Sequence, residues 1–123
     1  MVTRIIFSAV LIAACSLPAV AAPAEIGYPR DSLGYAALIS RDYITAERQL
    51  RAPADVDAND PARLINLGTL LIRTGRQAEG ADMLEQARKG EDIELVLGDG
   101  RTMWSHDVAR RALATVTASY AGR

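Results

Sequence analysis

Residues 60–90, DPARLINLGTLLIRTGRQAEGADMLEQARKG, carry the pattern that most constrains this chain: two apolar stripes of helical period on either side of a short break. Leu64, Leu67, Gly68 and Leu71 recur at i, i+3, i+4 and i+7, which places them on one face of a helix. Asp60 suits the N-cap and Pro61 the first helical position, where a missing N–H costs nothing. The break is Arg73-Thr74-Gly75-Arg76, with Gly75 where a left-handed residue ends a helix, and Gly90 is expected to end the second helix in the same way. In that second helix Gly80, Leu84 and Ala87 form the facing stripe. Small residues at Gly68, Gly80 and Ala87 let two antiparallel backbones come close, while the leucines fill the seam.

The pattern recurs once, earlier in the chain and at a constant offset. Leu33 corresponds to Leu67, Gly34 to Gly68 and Leu50 to Leu84 by identity; Leu38 corresponds to Ile72, Ser40 to Thr74 and Ala46 to Gly80 by type. Asp31 or Ser32 can cap a helix running to about Ser40, and Asp42 can cap a second that Pro53 stops early. Tyr43 places an aromatic just inside that second helix, and Arg41 stands where the central unit has its turn glycine.

The offset, with its order of small and large residues, resembles the period of the tetratricopeptide repeat (TPR), a helix–turn–helix unit of about 34 residues. The resemblance covers roughly residues 32–90. It implies an all-α protein-binding scaffold with a first unit at 31–53 and a second at 60–90. It also implies that the first helix of each pair lines a concave groove. That groove would hold Tyr35, Leu38 and Ile39 from the first unit, and Ile65, Thr69, Ile72 and Arg73 from the second. Asn66 lies alongside, where chaperone-binding members use an Asn to hold a peptide carboxylate. Asp31 and Tyr35, however, stand where that clamp would need a Lys and an Asn. A mixed apolar groove with Arg73 at one end suits a short helix or an extended peptide. The competing reading sets Ile65 and Ile72 against the preceding helices or the N-terminal segment.

The first residues read as an export signal. Met1 to Arg4 form a short positive head, an apolar run follows to Leu17, and Ala19-Val20-Ala21 is a small-residue site of the A-x-A kind. Cleavage after Ala21 predicts a periplasmic or secreted protein without a cysteine, held together by packing alone. Ile12-Ala13-Ala14-Cys15 also resembles a bacterial lipobox, which would instead make an outer-membrane lipoprotein anchored at Cys15. An uncleaved anchor is the third reading, although the run is short of the about 20 apolar residues a span needs. Residues 22–30 are expected to be a flexible lead-in.

After Gly90 the period alternates. Ile93, Leu95 and Leu97 suggest a strand, and Asp99-Gly100 is the preferred centre of a two-residue type I′ hairpin. That register, over residues 92–104, sets Leu97 opposite Thr102 and Leu95 opposite Trp104, with Trp104 packing on the helices. Ser105 is the expected N-cap of a closing helix to 120, whose stripe is Ala109, Ala112, Leu113, Val116 and Tyr120. Such a helix would cap the end of the stacked units.

A formal net charge of −1, with acids interspersed among the basic residues, argues against a nucleic-acid footprint. His106 is the one histidine, so a His-based metal cluster is not expected within one chain. Asp55, Asp57 and Asn59 have the opening of a calcium loop, but Asp60 and Pro61 replace its turn glycine and Asn66 its bidentate Glu. Gly98-Asp99-Gly100 lacks the helix a phosphate loop would open. With no G-x-S-x-G turn, no cofactor and no catalytic constellation expected, the residues point to a non-catalytic protein partner, with self-association a further possibility.

Overall fold

A computed structural model describes residues 22–52 and 55–121, with the backbone only of Ser119 and Tyr120. The expected leader with its cleavage site, Cys15 and Pro53 therefore lie outside the described residues. The chain is mainly α-helical with one small antiparallel sheet. Its elements are α1 (Tyr35–Ile39), α2 (Tyr43–Arg51), α3 (Pro61–Arg73), α4 (Gln77–Lys89), β1 (Glu94–Val96), β2 (Thr102–Trp104) and α5 (Ser105–Ala121).

Helix α3 is the central rod, and of its residues only Arg73 is exposed. Asp60 caps it, accepting from the Arg63 N–H at 3.0 Å, and Pro61 opens it. Leu67, Leu70 and Leu71 pack with Ala37, Leu38, Ala46 and Leu50 of the first hairpin. Ala62, Leu64 and Ile65 belong to a second cluster with Leu84 and Ala87 of α4, Val108, Ala109 and Ala112 of α5, and Leu33, Leu95 and Leu97. A helix apolar around most of its circumference sits largely inside a fold.

The turns of the two helical hairpins repeat the same main-chain hydrogen bonds, at the offset that separates Gly34 from Gly68. The Asp42 N–H donates to Ala37 O (2.9 Å) as the Arg76 N–H donates to Leu71 O (2.8 Å). Ser40 N–H to Ala36 O matches Thr74 N–H to Leu70 O, and Arg41 N–H to Leu38 O matches Gly75 N–H to Ile72 O. Both turns use a left-handed residue, Arg41 at φ 60° and Gly75 at φ 86°. The helix junctions repeat as well. A Cβ on Gly34 would meet Ala46 O and Leu50 Cγ, and one on Gly68 would meet Gly80 O and Leu84 Cγ.

Several boundaries differ from the sequence reading, each for a local reason. Helix α1 starts only after Gly34, whose φ of 61° interrupts any helix begun at Asp31 or Ser32. The N–H groups of Asp31, Leu33 and Tyr35 are instead taken by the carboxylate of Glu25, at 2.9, 3.1 and 3.3 Å. Gly90 is extended (φ −82°) rather than left-handed, because the chain leaves α4 directly toward β1.

The hairpin is shifted by one residue. Glu94 pairs with Trp104, Leu95 with Met103 and Val96 with Thr102. Asp99 does not adopt the positive φ a type I′ turn requires; Gly100 alone in the loop does (φ 83°), which makes a three-residue loop, Gly98-Asp99-Gly100, closed by Gly100 N–H to Leu97 O. A one-residue slip exchanges the two faces. Met103 therefore packs on the core, and Trp104 is 53 % exposed.

Residues 22–24 are not a loose lead-in, since they pair beside β1 through a bridge between Pro23 and Leu97. Helix α5 packs on α4 and α3. Its buried stripe is Val108, Ala109, Ala112 and Val116, with Leu113 half-buried; the side chain of Tyr120 is outside the described residues. Asp92 rather than Ser105 caps it, accepting from the His106 N–H at 2.9 Å. Ser105, fully buried, ties the entering loop by accepting from the Ile93 N–H (3.0 Å).

Candidate functional site

The side of α1 and α3 expected to form a groove is divided between core, self-contact and surface. Leu38, Ile65 and Asn66 are buried, so none of them lies on an accessible groove face. Ile72 is half-buried, packed beside Gly80 of α4. What remains accessible is Tyr35 and Ile39 on α1 with Thr69 and Arg73 on α3, the last residue of each helix being exposed. Tyr35 and Ile39 are one turn apart, as are Thr69 and Arg73, and the two pairs are equivalent at the repeat offset. The Tyr35 ring closes one edge of the patch by lying against Gly98 of the hairpin loop, where even a methyl group would collide with it. The residues set at the helix seams, Leu33, Gly34, Ala46, Leu50, Leu64, Leu67, Gly68, Leu71, Gly80, Leu84 and Ala87, are all buried.

Asn66 is the residue whose surroundings differ most from the expected clamp. Its Nδ2 donates to Pro23 O (3.1 Å) and to Leu33 O (2.9 Å), so it holds the chain's own backbone instead of a foreign carboxylate. Both neighbours are carbonyls, which forces the nitrogen end of the amide toward them. Its Oδ1 is buried and has no hydrogen-bond partner among the described residues. Pro23 and Glu25, which tie the lead-in to Leu97 and to the start of α1, are not marked by any local pattern in the sequence.

Charge is organised along α2 and the start of α4. Glu47 accepts from both Arg76 terminal nitrogens (2.7 Å each) and from Arg51 Nε (2.8 Å), while Arg51 also reaches Glu79 (2.7 Å). The forked bond from Arg76, then that from Arg51, pull the Glu47 carboxyl from its ordinary 4.5 down to about 2. The network joins the two hairpins across their seam. At the other end, the Tyr28 hydroxyl donates to Asp60 Oδ2 (3.0 Å), and burial and then the Asp60 charge push that phenol well above the usual range.

No family model, curated protein or solved structure matches this chain. Among the described residues no group of three His, Cys, Asp or Glu could hold a metal ion, and no helix is long and apolar enough to cross a membrane. Asp57, of the acidic linker, is committed to its own loop, accepting from the Asn59 N–H at 2.7 Å. His106 is engaged at the end of α4, with Nε2 2.8 Å from Gly90 O.

Proposed function

We propose that this protein is a non-catalytic scaffold of TPR type in the bacterial cell envelope, holding a peptide or helix of a protein partner, or of its own copy. The supporting observation is the repetition of turn hydrogen bonds and glycine junctions at the offset between Gly34 and Gly68, which equals the period of that unit. Repeats of this construction present the same positions side by side, and here Tyr35 and Ile39 stand in register with Thr69 and Arg73. An exposed apolar side chain on α1 and an exposed guanidinium at the equivalent position of α3 suit a partner segment that carries an apolar residue and an acid.

Crosslinking in the native envelope tests this. Ile39→Asp with Arg73→Glu should abolish capture of the partner while melting stays within a few degrees of the parent, because both side chains are exposed. Undiminished capture would refute the patch. The segment Ile12-Ala13-Ala14-Cys15 supports a second reading, an outer-membrane accessory protein lipidated at Cys15. Mass spectrometry of the mature N-terminus separates the two, since one begins at Ala22 and the other at a modified Cys15.

A further inference from the structure

The bay between α3 and β1 is filled by the chain's own residues 22–24, and the fit is incomplete. The Gly98 N–H donates to Ala22 O (3.0 Å) and the Ala24 N–H to Val96 O (2.9 Å), so the segment lies as a short antiparallel strand. Pro23 between them is fully buried and turns its carbonyl toward α3, where Asn66 takes it. In an extended strand the N–H and C=O of one residue point to the same side. Any residue but proline at this position would therefore aim an N–H at the Asn66 amide as well. The amide oxygen stays buried without a partner among the described residues, a costly state for a polar atom.

The occupant falls short a second time. Leu97 accepts no bond from residues 22–24 because it faces β2, donating its N–H to Arg101 O, while Ser105 N–H donates to Ile93 O on the same edge. Glu94 and Val96 thus direct their main-chain groups to the other edge, toward the bay. The lead-in turns away at Ile26 and Gly27 (φ 85°) and makes no main-chain hydrogen bond to Glu94.

We propose that this bay is a docking site for an extended strand of a partner protein, which residues 22–24 occupy as a weak self-ligand, and that Asn66 binds the incoming main chain through both amide atoms. The partner strand carries a small residue other than proline opposite Leu97, since a larger one has no room where Pro23 is buried, and it runs straight on past Glu94. Strand addition of this kind draws affinity from the backbone and selectivity from the one enclosed position. The inference rests on the partner-holding reading for the existence of a partner, but not on the exposed patch of α1 and α3.

Three fluorescent peptides titrated onto the full chain provide the test: Ala-Ala-Ala-Glu-Ile-Gly-Tyr, the same with N-methylalanine second, and the same with proline second. The first should bind at least tenfold tighter than the other two, a difference of about 1.4 kcal/mol. Equal affinities, or no saturable binding of the first, overturn the proposal. Within the chain, Pro23→Ala should slow hydrogen exchange at the Gly98 amide about tenfold. Unchanged or faster exchange, the result expected from loosening the chain alone, also overturns it. The peptides and the Ile39/Arg73 variant share no residue, so either proposal can fail while the other stands.

Discussion

Replacing Gly80 by Ala probes the closest approach between two helices at any glycine among the described residues. A Cβ built there lies 2.7 Å from Gly68 O, 2.8 Å from Ile72 Cγ1 and 3.1 Å from Ile72 N, where ordinary contact begins at 3.4 Å. Ile72 can turn its side chain, but the Gly68 carbonyl belongs to the ladder of α3 and cannot yield alone. The two helices must separate by about 0.7 Å at this crossing, the shortfall between 3.4 and 2.7 Å. Overpacking of this sort costs about 1–3 kcal/mol. Two of the three close atoms are backbone, so the upper half of that range applies. Against it stands a gain of about 1 kcal/mol from alanine in a helix interior. A net loss of about 1–2 kcal/mol remains, which lowers the melting temperature by roughly 5–15 °C for a domain of this size. Urea denaturation followed by far-ultraviolet circular dichroism measures it, with Gly75→Ala as a comparison: Gly75 has open space around it and tests only the left-handed backbone. A Gly80→Ala protein as stable as the parent, or more so, would mean that helix propensity acts unopposed and that the rods do not cross here.

Two further outcomes are expected. Arg41 holds at φ 60° the left-handed position that Gly75 fills in the second hairpin, so Arg41→Gly should relieve strain of about 1–2 kcal/mol at a smaller entropic cost. A net stabilisation of about 0.5–1 kcal/mol should appear in the denaturation midpoint, and a loss would show that the Arg side chain has a role the turn geometry does not reveal. Glu47 titrates lower folded than unfolded, so its ion pairs stabilise the protein above its ordinary 4.5 and lose that effect progressively as pH falls to about 2. The stability curves of parent and Glu47→Gln should therefore differ at neutral pH and converge as pH approaches 2, whereas a constant gap would assign the difference to packing.

The hairpins were legible because their determinants are local and doubled. Asp60-Pro61 is a cap whose partner lies three residues on, and Gly75 needs only its own backbone to end a helix. The repeat offset could be read because Gly34 and Gly68, or Leu50 and Leu84, answer to the same junction in each unit. The candidate site was much less legible, because its determinants are distant. Glu25 takes N–H groups at the start of α1 that a cap at Asp31 or Ser32 would serve, and nothing near Glu25 announces it. Pro23 finds its place beside Leu97, and Asn66 spends its donors on Pro23 and Leu33 rather than on a ligand. The hairpin register failed for a subtler reason. Asp-Gly fits either a two-residue or a three-residue loop, and the choice turns on whether Met103 or Trp104 meets the core.

The pairing of Pro23 with Leu97 also fixes when the protein can close. Synthesis proceeds from the N-terminus at about 5–20 residues per second, so β1 follows the lead-in by roughly 4–15 seconds. Throughout that interval Ile65 lacks Leu95 and Leu97, which share its core cluster, and α5, which adds Val108, Ala109 and Ala112, emerges later still. Residues 22–24 therefore wait for a strand made much later in the chain before they can pair.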